Sequence, residues 1–388
     1  MAQVSAIPPV PAVAPARLVF IDNLRWLMIV LVITMHAAVT YSNMGRWYYN
    51  ERAQLGLASR LFFTTYQVWL QAFFMGFLFF LAGYFVPGAF DRKGPARFLR
   101  DRAVRLGIPS LLYMFLIGPA AIYYLLGVKN PEYSFANFWG HYVLGPSIRE
   151  GGTGPMWFCV ALLIFCAIYA AFRVIARRSG GKNEWLPGNR HVALFILAIA
   201  TATFLVRTVQ PIGTAIWNMQ LCFFAQYILL FIAGLDASRH GWLLRIPHRL
   251  GMRWLGLSLG AGAPVWFALL IIAVRMGWAT KSFDGGWHWQ SAVLCGWESF
   301  FCVGVCLGLI VLFREGFNAQ GRVARFLSSN AFAVYVFHPP VVIAASLALR
   351  GFHAPPVAKF AIVSAIATVV TFPVAAALRR VPVLKRVL

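Results

Sequence analysis

Acidic residues are scarce in this chain. Eleven Asp and Glu stand against 34 Lys and Arg in 388 positions, and only 12% of residues carry charge. So little charge cannot coat a water-soluble surface. With 60% hydrophobic residues and a mean hydropathy of +0.72, the composition is that of an integral membrane protein. The net charge of +23 would suggest nucleic acid in a soluble chain. Here the basic residues fall mainly between apolar runs, without any RNA-binding or helix-turn-helix pattern, so no nucleic-acid partner is expected. The six cysteines all sit inside apolar runs, with no CxxC pair and no Cys/His ligand spacing. That excludes a disulfide framework or zinc site, and no metal is expected. Walker and dinucleotide glycine patterns are missing, which counts against an ATP-driven pump. Residues 1–16, rich in Ala, Pro and Val, lack the basic start and apolar core of a signal peptide. They are expected to form a disordered cytoplasmic tail, leaving 17–388 as a single membrane-embedded domain.

What is present is a series of apolar runs. Stretches near 24–42, 67–86, 107–126, 156–176, 191–209, 219–236, 254–276, 290–313, 329–348 and 358–378 are each about 20 residues, enough to span a bilayer as a helix. The predicted fold is all-α and polytopic, with about ten transmembrane helices. If the N-terminus is cytoplasmic, the inner segments hold 23 of the 34 Lys and Arg and the outer segments 10, with Arg25 inside the first span. The positive-inside rule then places both termini in the cytoplasm. The outer segments are aromatic instead (Trp47, Tyr48 and Tyr49; Trp139 and Tyr142; Trp278, Trp287 and Trp289). Such residues anchor a protein at the membrane interface, and some of their flat faces suit a sugar. Gly256-xxx-Gly260 and Gly304-xxx-Gly308 are small-residue pairs of the kind that let helices approach closely.

The first span is unusual in carrying Asp22, Arg25 and His36. An ionisable side chain near the centre of a span costs about 2.5–3.5 kcal/mol on insertion scales, so it is rarely kept without a use. At about 100° per residue the three project from one face, Arg25 and His36 about 16 Å apart along the axis. An imidazole past the membrane middle suits a general base acting on a hydroxyl. The cationic stretch 91–106 contains Arg100, Arg102 and Arg105. Arg102 and Arg105, three apart, are helical neighbours whose guanidinium forks suit phosphate oxygens. Gly154-Pro155-Met-Trp157 turns into the fourth span, where Trp157 would cap the outer end of a cavity holding His36. Glu298 stands alone in the eighth span, where it either orients an imidazole or sits near the outer rim. In the ninth, Tyr335-Val-Phe-His338-Pro-Pro340 puts two prolines beside a second histidine. Prolines at that depth kink a helix and tend to line a cavity.

Together these residues resemble the acyltransferase 3 family of integral membrane acyltransferases over nearly the whole chain. The resemblance is carried by Arg25-x10-His36, Phe79-Phe-Leu-Ala-Gly-Tyr-Phe85, Arg102-x-x-Arg105, Gly154-Pro-Met-Trp-Phe158 and Tyr335-x-x-His338. Ala82 stands where many relatives are expected to have Ser. The last motif looks most like the branch that decorates periplasmic glucans with succinyl groups. The resemblance implies a multi-pass enzyme of a bacterial cytoplasmic (inner) membrane with no permanently bound cofactor. It would move a succinyl or acetyl group from cytoplasmic acyl-CoA (succinyl-CoA or acetyl-CoA) to a hydroxyl of an extracytoplasmic glycan. His36 would be general base or acyl carrier, with Arg25 anchoring the donor and Asp22 holding Arg25. Arg100, Arg102 and Arg105 would bind the CoA phosphates, with Trp157, Glu298, Tyr335 and His338 near the acceptor. The rival reading is a transporter or flippase for a glycan or acyl group using the same polar face, although no paired broken helices mark one. No element looks like a dimerisation domain, and self-association stays open.

Overall fold

The computed structural model describes residues 17–127, 134–176, 185–278 and 281–388; the N-terminal segment expected to be disordered lies outside them. Ten helices among these residues are long and apolar enough to cross a membrane: α1 (Val19–Ser42), α2 (Leu57–Lys93), α3 (Pro95–Leu126), α4 (Gly154–Ile175), α5 (Asn189–Arg207), α6 (Leu221–His240), α7 (His248–Arg275), α8 (Trp289–Gly316), α9 (Arg322–Ala348) and α10 (Pro356–Leu378). No β-strand occurs among the described residues. This is a multi-pass membrane protein. In hydrocarbon each backbone polar group must be satisfied within its own segment, and the helix is the local way to do so.

α1 runs through the bundle and packs against α2, α8, α9 and α10. It has no Pro or Gly inside, and it stops where Asn43 adopts φ 57°, a left-handed conformation that Asn tolerates as a helix terminator. At its start, Asn23 donates to the carbonyls of Phe317 and Ala319 between α8 and α9. At its other end the backbone N–H of Glu51 bonds the Thr40 carbonyl, and Glu51 pairs with Lys359 of α10 at 2.6 Å. These contacts define two faces. One holds the start of α1 and the chain's C-terminal residues, and is called here the terminal face; the other holds the 43–56 segment.

α2 begins ten residues before the apolar run expected for it, and its 37 residues extend about 55 Å. The added turns carry Arg60, Thr64 and, further in, Gln67 and Gln71. Their spacings of four, three and four put them on one side of the helix. A polar stripe lowers the mean hydropathy of a run without weakening the helix, so hydropathy alone misplaces the start. α3 contains three widened turns over 103–107, 113–117 and 122–126. Pro119 cannot donate to the Phe115 carbonyl four residues back; the Trp139 indole N–H bonds that carbonyl instead, at 2.6 Å.

Without water to drive them together, membrane helices associate by close packing at small residues. A side-chain carbon on Gly83 of α2 would lie 2.4 Å from the Phe231 carbonyl of α6, and one on Gly234 of α6 would lie 2.2 Å from the Phe80 carbonyl of α2. The two small-residue pairs marked in the sequence divide. A side-chain carbon on Gly304 of α8 would run into Ser258 Oγ and lie 2.5 Å from the Trp254 carbonyl, and one on Gly308 would lie 2.5 Å from Leu255. Gly256 and Gly260 have nothing within 4 Å. They face away from the contact, so only one of the pairs is a packing device. Gly304→Ala is therefore expected to destabilise the protein by about 1–3 kcal/mol. Gly256→Ala should be neutral or slightly stabilising, because a helix-interior glycine costs about 0.5–1 kcal/mol relative to Ala. Thermal unfolding in detergent checks this, and equal effects of the two would refute the packing assignment.

Candidate active site

The imidazole of His36 stacks on the indole of Trp47, with ring centroids 4.0 Å apart and planes at 20°. Trp47 lies just past the end of α1, so the turn at Asn43 folds the chain back over the histidine. At the edge of the ring His338 of α9 approaches: its Nε2 lies 3.0 Å from His36 Nδ1. His338 Nδ1 is 2.8 Å from the Tyr335 carbonyl, and the residue is wholly buried. The Tyr335 hydroxyl donates to the Pro155 carbonyl in the opening turn of α4. That turn needs its glycine. Gly154 has φ 47°, and a side-chain carbon there would lie 2.4 Å from the Tyr48 hydroxyl and 2.5 Å from the Tyr113 ring. Tyr113 donates to Tyr48 at 3.1 Å. Tyr48 lies between spans, and burial raises its phenol above the ordinary value against the pull of the Tyr113 hydrogen bond.

His36 opens into a cavity of about 580 Å³. The α2 stripe of Arg60, Thr64, Gln67 and Gln71 forms one wall, and Trp157, Tyr227, Glu298 and Tyr335 contribute others. Trp157 stacks on Tyr227 at 5.8 Å, and Gln71 donates to the Tyr227 hydroxyl at 3.0 Å. Arg60 sits over the Trp278 ring at 5.2 Å. The lining thus combines amides, hydroxyls and aromatic faces. The Trp47 indole nitrogen is buried with no hydrogen-bond partner among the described residues. A buried donor without an acceptor is uncommon and calls for a reason.

Glu298 is not alone. Its carboxylate takes a 2.6 Å bond from Arg207 of α5, a side chain with no exposed surface. Arg207 also sits over the Phe223 ring at 5.0 Å. Glu298, which stands alone in the sequence of its span, is thus paired in the fold with Arg207, the last residue of α5, buried as its counter-ion. Asp284, on the short segment before α8, also lines the cavity. Burial raises its carboxyl above the ordinary range, and the nearby Arg207 works against that.

Asp22 and Arg25 lie elsewhere. Asp22 pairs with Arg17 at 2.6 Å and Arg25 at 3.3 Å, and the Arg25 guanidinium sits 4.4 Å over Phe85 of α2. Arg102 and Arg105 are close enough to act on its charge. These three cations form a cluster at the terminal face, eleven residues or about 16 Å along α1 from His36. Arg100 is exposed and, two residues from Arg102, points about 200° around the helix from it. The expected polar face of α1 is therefore two stations, an arginine cluster at one end and the histidine pair toward the other. The six cysteines are all buried and free, and no group of metal-ligating side chains occurs among the described residues.

Residues 18–380 match the model of the acyltransferase 3 family, an acyltransferase domain. The chain belongs to that family, and it is a membrane acyltransferase. Among individual relatives it is similar to glucans biosynthesis protein C of Salmonella schwarzengrund strain CVM19633, 24% identical over 344 residues, which covers 84% of this chain and 83% of the relative. It is equally similar to glucans biosynthesis protein C of Escherichia coli O139:H28 strain E24377A, 24% identical over 349 residues, with 85% and 83% covered. No solved structure matches the chain.

The buried ion pair supplies a test of the site's construction. Removing one partner of a buried pair leaves a stranded charge, at a cost of about 3–5 kcal/mol. Arg207→Leu and Glu298→Leu are each expected to lower the unfolding midpoint strongly. The double variant, with no charge left to strand, should be more stable than either single variant. Additive losses in unfolding experiments would show that the two residues act independently.

Proposed function

We propose that the protein is an acyl-CoA-dependent O-acyltransferase of a bacterial inner membrane, with both termini cytoplasmic, that modifies an extracytoplasmic glycan. The observation that carries this reading is a histidine lining an aromatic and amide-rich cavity, joined by a single helix to an arginine cluster at the opposite face. Amides and hydroxyls such as Gln67, Gln71 and Thr64 suit sugar hydroxyls, and Trp157 offers an aromatic wall. The Glu298 carboxylate, held by Arg207, accepts from one more hydroxyl. The relatives named for glucan biosynthesis support a glucan as acceptor, with succinyl or acetyl as the acyl group.

In this reading Arg102 and Arg105, with Arg25 beside them, hold the CoA phosphates, since guanidinium forks match phosphate oxygens bidentately. Asp22 keeps Arg25 in place. The narrow pantetheine arm lies along α1 and brings the thioester to His36. The imidazole takes the proton of the acceptor hydroxyl as its oxygen bonds to the thioester carbonyl carbon. The tetrahedral intermediate then expels the CoA sulfur, which leaves with the proton His36 had taken. Products are the glycan ester and free CoA, so the histidine returns unchanged. The unpartnered Trp47 N–H is a donor for the oxygen on which negative charge develops.

Purified protein in detergent with labelled acyl-CoA and an oligosaccharide acceptor tests this reading. Wild type is expected to release CoA and label the glycan, while His36→Ala does neither and still binds CoA. Full activity in His36→Ala, or no transfer from any acyl-CoA, would overturn the reading; the second result would favour a transporter, which needs two compartments. Trp47→Phe keeps an aromatic ring for His36 to stack on and removes only the N–H. Loss of one oxyanion donor costs about 10²–10³ in kcat, so a fall in kcat with KM unchanged is expected. Arg102→Ala and Arg105→Ala should instead raise KM for acyl-CoA, leaving KM for the glycan unaltered.

A further inference from the structure

We infer that His338 is a positioning residue that holds His36 in the one tautomer able to act as a base toward the cavity, and that Pro339 holds His338 in turn. This deepens the reading of His36 as the base and rests on it.

In a helix the carbonyl of residue 335 accepts from the N–H of residue 339. That residue is Pro339, within α9, which has no N–H to give. The freed Tyr335 carbonyl is met by His338 Nδ1 at 2.8 Å. A carbonyl can only accept, so Nδ1 carries the proton. A neutral imidazole protonated at Nδ1 has its lone pair on Nε2. His338 Nε2 lies 3.0 Å from His36 Nδ1. Since His338 Nε2 accepts, His36 Nδ1 must donate. His36 is then left with its lone pair on its own Nε2, the nitrogen turned away from His338, on a ring that lines the cavity. The Val32 carbonyl, one turn back on α1, also faces the His36 ring and can likewise only accept. Stacking on Trp47 at 4.0 Å restrains the ring from turning over.

The arrangement has the logic of an orienting group behind a catalytic histidine, here with an imidazole where a carboxylate is more usual. When the acceptor hydroxyl gives its proton to His36 Nε2, the resulting cation keeps donating from Nδ1 to His338 Nε2. The same Nε2 proton then leaves with the CoA sulfur, so His338 gains and loses nothing across the cycle.

Nitrogen-15 NMR of the full chain labelled at histidine separates protonated from unprotonated ring nitrogens, and comparison with His36→Ala among the eight histidines assigns the signals of His36. In wild type His36 is expected to be protonated at Nδ1 and bare at Nε2. His338→Leu should lose that preference and lower kcat about 10–100-fold, the scale for losing an orienting partner, with KM for both substrates unchanged. His338→Gln, whose side-chain carbonyl can accept from His36 Nδ1–H, should recover most of the loss and the wild-type tautomer. A His36 protonated at Nε2 in active wild type, or Gln and Leu variants equally impaired, would overturn the positioning role alone. Full activity of His36→Ala would instead remove the underlying reading, whatever the tautomer.

Discussion

A polar group inside a bilayer has no water to turn to, so each one must find its partner within the protein. That constraint organises the whole bundle. Pro119 frees a carbonyl on α3 and an indole from the next segment takes it. Pro339 frees one on α9 and a histidine takes it. A carboxylate on α8 is tolerated because an arginine from α5 is buried against it. The indole nitrogen of Trp47, left without a partner among the described residues, sits at the wall of the cavity.

Much of this organisation was legible from the amino acids alone. Ten apolar runs of about 20 residues announce ten helices, because length and hydropathy are properties of each run by itself. The boundaries of α2 were not, because the Arg60, Thr64, Gln67 and Gln71 stripe lowers the local hydropathy while leaving the helix intact. The 4-3-4 spacing of those residues was a signal that periodicity could have caught. His36 and His338 stood out as polar residues in apolar runs, and the prolines after His338 hinted at a cavity. Their contact spans 302 positions, and no local pattern encodes it. Arg207 and Glu298, 91 positions apart, illustrate the same limit: nothing local to either span announces the pair. The fold also separated what helical spacing had joined. Asp22, Arg25 and His36 share a face of α1, yet the first two answer to charges at the terminal face and the third to rings near the other end.

That separation is what the proposed reaction across a membrane would require. A donor with a bulky anionic head and a thin arm can be held by its head at one face while its reactive end reaches a site open to the other. The acceptor then never has to cross, and neither does CoA. α1 is suited to join the two stations because it packs on four other helices and is anchored at both ends, by Asn23 at the terminal face and by the Thr40–Glu51–Lys359 contacts opposite. A rigid rod of known rise fixes the distance between the arginine cluster and His36.

The most direct measurement of this account is transfer across a sealed membrane. Protein reconstituted in liposomes with a known orientation would be given labelled acyl-CoA on one side and an impermeant oligosaccharide on the other. The account predicts labelled glycan only when acyl-CoA meets the arginine-bearing terminal face and the glycan meets the His36 face, with CoA remaining on the side where it was supplied. Transfer that requires both substrates on the same side would contradict it.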